Sequence, residues 1–150
     1  MSLLVATAIA AVIIRCYESN RYFWVLAWPG TVMHELLHYV VALVTFAQPS
    51  GFSVVPKFGD NEILLGSVDC DNLNWFNRLP IALAPVLGLG VAFLALGSFT
   101  FTFTVAGCVT AWVIASIAAG AWPSPQDFRV GFASPFGTAA WAGVLYLAFR

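Results

Sequence analysis

PGTVMHELLHYVV, residues 29–41, places both histidines of the chain and one of its seven acidic residues in a stretch otherwise made of apolar side chains. On a helix, residues four apart share a face, so His34 and His38 point the same way and Glu35 sits about 100° around from His34. Two imidazoles so placed chelate one ion. HExxH on a helix is the spacing in which two histidines bind zinc while the glutamate takes a proton from the water being activated. A blander reading has the histidines bridging neighbouring helices by hydrogen bonds and Glu35 paired with an arginine from another segment. That accounts for the polarity but not for the spacing.

The surroundings raise the stakes. Of the 150 residues, 61% are hydrophobic and 9% charged, whereas soluble domains carry about a quarter charged residues. Six basic and seven acidic side chains cannot cover a water-facing surface, so a bilayer is expected as the outer solvent. An acid near the middle of a membrane helix costs about 2.5–3.5 kcal/mol, and ionisable groups there are read as functional for that reason. The net charge of −1 leaves no basic stripe to neutralise phosphates, which argues against a nucleic-acid partner. Cys16, Cys70 and Cys108 are odd in number and widely spaced, and read as free thiols.

Working outward, apolar stretches fall at 3–14, 22–47, 79–99, 101–122 and 132–149. The expected fold is an all-α polytopic membrane protein with four to five membrane segments, forming one domain over residues 1–150. The first stretch is short for a span unless Arg15 snorkels; lacking a preceding Lys or Arg, it reads as a retained anchor rather than a signal peptide. Tyr22, Phe23, Trp24 and Trp28, and again Trp75 and Phe76, suit the headgroup interface. Arg15 and Arg21 fall on one side and Lys57, Arg78 and Arg129 on the other, so the basic residues assign no orientation. The polar interlude contains GFSVVPKFGDNEILLGSV, residues 51–68, which reads as a β-hairpin turning at Gly59, Asp60 and Asn61, with Pro56 at an edge position.

A catalytic zinc takes three protein ligands and a water, so a further ligand is required. Asp127 leads. It lies in AWPSPQDFRV, residues 121–130, where two prolines interrupt an apolar region, and broken backbone at membrane depth is tolerated only where protein or a wet cavity covers it. Ser124, Pro125 and Asp127 also fit a helix start, as N-cap, N1 and N3. Both roles are compatible. Asp69 and Asp71 in SVDCD and Glu62 at the hairpin tip rank below. One geometric demand follows. If 79–99 and 101–122 both cross completely, Asp127 emerges opposite the start of the His34 helix, so coordination requires HELLH near mid-depth and residues 123–127 still inside.

PGTVMHELLHYVVAL, a short β-like segment, NRLPIALAPVLGL and then PSPQD, in that order, resemble the site-2 protease family of intramembrane zinc metalloproteases, in a minimal form. The resemblance implies a three-helix core, zinc held by His34, His38 and Asp127, Glu35 as general base, and hydrolysis of a peptide bond in or near a substrate's transmembrane segment. Two departures stand out: Ser124 lies between the prolines where the family places an asparagine before them, and Phe128 follows the aspartate in place of glycine. Without a peptide-binding accessory domain, substrate selection falls to the hairpin or to a partner protein. The alternative from a different class is a non-catalytic membrane metal-binding or assembly protein using the same His/Asp cluster.

Overall fold

The structure, a computed structural model, describes residues 2–17, 24–58 and 63–150. Each of the five apolar stretches is helical. The helices are α1 (Ser2–Tyr17), α2 (Trp24–Val44), α3 (Arg78–Leu83), α4 (Leu87–Ser98), α5 (Val105–Gly120), α6 (Pro125–Gly131) and α7 (Pro135–Ala148). A single 3₁₀ turn, Ala84–Val86, carries α3 into α4, so that Arg78–Ser98 forms one 21-residue helical stretch.

That stretch is long and apolar enough to cross a bilayer, and the bent pair α5 and α6 makes a second candidate span. Among the described residues, the expectation of four to five spans is not met by length and composition. At 1.5 Å per residue, the 16 residues of α1 and 14 of α7 reach about 24 and 21 Å, short of the roughly 30 Å of a hydrocarbon core. With 21 residues α2 is long enough, but it carries His34, Glu35 and His38.

α5 is the hub, packing on α1, α2 and α4. Its crossing with α2 is a backbone contact: a Cβ on Gly30 would collide with the Ser116 carbonyl, and one on Gly120 would lie 2.9 Å from the Gly30 carbonyl. Such close approach between apolar helices gains dispersion contact that a larger residue would prevent. The Leu26 carbonyl accepts from Trp112 Nε1 at 2.9 Å and Ser116 Oγ at 2.7 Å. This polar tie lies beside Pro29, whose missing N–H leaves the adjacent Val25 carbonyl without its helical donor.

α2 ends without a glycine. Phe46 adopts φ 57° and the Ala47 N–H reaches back to the Ala42 carbonyl at 2.8 Å, with both alanines fully buried. This is the six-to-one closure with its apolar contact that usually recruits glycine at the left-handed position.

The hairpin is present but interrupted. β1 (Pro49–Ser53) pairs antiparallel with β4 (Ser67–Cys70), and β2 (Lys57–Phe58) with β3 (Ile63–Leu64). Ser53 faces Ser67 and Lys57 faces Leu64, so both ladders belong to one hairpin broken around Pro56, which cannot donate to a ladder. The turn at Gly59, Asp60 and Asn61 lies outside the described residues, as do Glu62, Arg21, Tyr22, Phe23 and the Arg15 side chain. Tyr39 of α2 meets Phe52 of β1 edge to face at 5.7 Å, and Ala42, Ala47 and Ile81 join Cys70 and Leu73 in one cluster. The hairpin base is thereby fixed to α2 and α3.

Candidate metal centre

His34 and His38 occupy the middle of α2, and backbone from two other elements sets their orientation. His34 Nδ1 lies 2.7 Å from the Gly120 carbonyl at the end of α5, and His38 Nδ1 lies 2.7 Å from the Ile81 carbonyl in α3. A carbonyl only accepts, so each Nδ1 carries the proton and donates it, leaving each Nε2 with its lone pair exposed. The chain thus fixes in both rings the tautomer a metal ligand needs.

Asp127 arrives where α5 breaks. Pro123 and Pro125 cannot continue the hydrogen-bond ladder, and Ser124 takes the extended conformation expected before a proline. α6 then starts at an angle of 45° to α5. Ser124 N donates to Asp127 Oδ2 at 2.6 Å and Asp127 N donates to Ser124 Oγ at 3.2 Å, the reciprocal capping box anticipated from the sequence. The same carboxylate faces the histidines, with Oδ2 3.3 Å from His34 Nε2 and Oδ1 3.2 Å from His38 Nε2. Because α5 ends against His34, the break delivers Asp127 at the level of HELLH along α2.

The two Nε2 atoms lie 3.1 Å apart. With both protons committed to carbonyls, this is a meeting of two lone pairs, and the carboxylate beside them adds more negative charge. A cation relieves such a set. Ligands about 2.0–2.1 Å from a tetrahedral zinc lie about 3.3–3.4 Å from one another, close to the 3.1–3.3 Å separations found. The donor set therefore fits a metal ion, and His34, His38 and Asp127 can hold one.

Glu35 is 8% exposed, and its carboxylate has no hydrogen-bond partner among the described residues. It opens onto a cavity of about 640 Å³ shared with His34, His38 and Asp127. The opposite wall is the hairpin. Every residue from 65 to 70 lines this cavity, and since successive strand side chains point to opposite faces, an unbroken run means that backbone edge is turned toward it. The second edge of β4 has no strand partner among the described residues.

The hairpin meets Glu35 at Gly66, where a Cβ would lie 2.5 Å from Glu35 Cγ and 2.7 Å from Oε1. We expect Gly66→Ala to leave the fold and metal binding intact, since a flexible side chain can yield, while displacing the Glu35 carboxylate from its present position. Metal titration and thermal unfolding of the variant check this; loss of either would show that Glu35 cannot yield to the added methyl.

Asp69 and Asp71, the lower-ranked alternatives, are exposed on the hairpin, and Asp71 accepts from Ser50 Oγ at 2.8 Å. Neither joins the histidines. Cys70 and Cys108 are free thiols. Burial, with Asp69 and Asp71 nearby, pushes the Cys70 thiol up and keeps it protonated. The carbonyls of Ile81 and Gly120 escaped sequence reasoning, since a backbone acceptor leaves no residue signature; the close approach of Gly66 to Glu35 offered only a glycine inside a strand-like run. Comparison of the chain with protein-family models, with curated proteins and with solved structures finds no match.

Proposed function

We propose that this chain is a zinc-dependent endopeptidase of the site-2 protease type, lying within a membrane and hydrolysing a peptide bond in or near a substrate's transmembrane segment. The observation that carries the reading is the convergence of His34 Nε2, His38 Nε2 and an Asp127 carboxylate with Glu35, unpartnered among the described residues, in one cavity. A membrane setting is supported by the outward apolar side chains, among them Phe93, Leu94, Phe103, Val105 and Phe149, an exposure that soluble monomers do not sustain.

Zinc bound by these three residues would supply Lewis acidity, polarising a scissile carbonyl and making water a better nucleophile. Glu35 takes the proton from the attacking water and returns it to the leaving amine. The Gly120 and Ile81 carbonyls hold both imidazoles with Nε2 aimed at the metal site. A transmembrane helix hides its peptide bonds in its own hydrogen bonds, so cleavage requires local unwinding. The β4 edge offers the opened chain replacement partners by strand addition. The open carboxylate of Glu35 favours catalysis over a purely structural metal site, which would use four protein ligands and no base.

Purified protein stripped with a chelator should lose hydrolysis of a membrane-embedded reporter and regain it on addition of one equivalent of zinc. Stoichiometric zinc binding without hydrolysis of any membrane or peptide substrate would turn the reading to a metal-binding or assembly protein. Cysteines placed along residues 65–70 should cross-link substrate, whereas capture confined to other surfaces would remove strand addition.

A further inference from the structure

The cavity is uneven about its metal-ligating group. Near His38 the lining is aliphatic and large, with Leu73, Ile81 and Val130; near His34, where α2 meets α5, it is Ala27, Thr31, Ser116 and Ala119. Ala27, Thr31 and Glu35 succeed one another at four-residue intervals, so they line one face of α2. Thr31 is one turn from Glu35, about 6 Å along the axis, or roughly two residues of an extended chain. A side chain flanking the scissile bond can reach it.

The chemistry of this wall follows from where its hydroxyl protons go. Thr31 Oγ1 donates to the Ala27 carbonyl at 3.3 Å and Ser116 Oγ to the Leu26 carbonyl at 2.7 Å. Both donors are spent on α2 backbone, and no charged side chain belongs to this wall. What remains is small and effectively apolar. The Gly30–Gly120 backbone contact fixes how far apart α2 and α5 stand, so the width of the recess is set by side-chain size alone.

Resting on the peptidase reading, we propose that Ala27, Thr31, Ser116 and Ala119 form a substrate subsite that admits a bulky apolar side chain next to the scissile bond, with Thr31 and Ala119 setting its size limit. The second observation pointing to an occupant is Glu35, more than nine-tenths buried, unpartnered among the described residues and facing the same cavity.

The test compares reporter substrates carrying Phe or Ala at each position flanking the cleavage site. Ala119→Leu and, from the facing wall, Thr31→Leu should each lower cleavage of the Phe substrate at one such position by about 10-fold or more relative to the Ala substrate, with zinc content unchanged. A turnover-independent readout uses Glu35→Gln protein: a cysteine at position 119 should form a disulfide with a substrate cysteine at that same position. Equal loss on both substrates in both variants, no loss in either, or cross-links to residues 65–70 without any to position 119 would overturn the subsite. A wild-type protein that neither cleaves nor cross-links any substrate would instead overturn the peptidase reading.

Discussion

Glu35→Gln is expected to abolish hydrolysis while zinc stays bound. The amide keeps the size of the carboxylate, and His34, His38 and Asp127 are untouched. What is lost is a base, because a carboxamide cannot take a proton from water at neutral pH. General acid–base groups contribute about 10²–10⁴-fold, so turnover should fall by that factor at least, with metal content and thermal stability at wild-type values. A structural role for Glu35 predicts the reverse pattern, with turnover preserved and stability reduced. Turnover at the wild-type rate would remove Glu35 from the mechanism.

Much of the scaffold was legible because membrane-like sequences announce helices by long apolar runs. The stretch at 79–99 became Arg78–Ser98, and the stretch at 132–149 became Pro135–Ala148. HELLH was legible because its spacing has one economical explanation, and the Ser124–Asp127 capping box because serine, proline and an acid at those offsets satisfy orphan N–H groups. The number of spans was over-read: an apolar run shows that a segment is helical and greasy, but α1 and α7 are too short for a full crossing. The end of α2 was hidden, because Phe46 rather than glycine takes the left-handed position there. The hairpin was visible in its turn residues and β-branched runs, yet its break around Pro56 and its docking over Glu35 depend on tertiary contacts that no local pattern carries.

The site illustrates the same division. A sequence shows which side chains could bind a metal, whereas their aim depends on what holds the far side of each ring. His34 and His38 are aimed by carbonyls 86 and 43 residues away in the chain. Those carbonyls are available because α5 ends at Gly120 and because Pro85, four residues after Ile81, has no N–H to donate. The prolines that stop α5 therefore act twice, bringing Asp127 inward and placing a helix-terminal carbonyl against His34.

Asp127 carries both a structural and a metal-binding load, and Asp127→Asn separates them. Its Oδ2 accepts from Ser124 N at 2.6 Å, closing the capping box, while both carboxylate oxygens face the histidines at 3.2–3.3 Å. Asparagine is as good a cap as aspartate, and its carbonyl oxygen can still accept from Ser124, so α6 should keep its start and the fold its stability to within about 0.5 kcal/mol. The metal makes a different demand. It favours an ionised carboxylate, and a neutral amide surrenders that charge just where two imidazole lone pairs converge. Changes to groups that merely orient ligands cost about 10–100-fold in affinity, so loss of a ligand charge should weaken zinc binding by about 100-fold or more, with activity falling in step. Zinc titration and thermal unfolding of the same sample give the two readouts. Ser124→Ala supplies the converse: it removes the capping hydroxyl, costing about 1 kcal/mol, and leaves the carboxylate in place. If the His–Asp contacts were only an ion pair, Asp127→Asn would leave zinc affinity unchanged, and Asp127 would no longer be the third ligand.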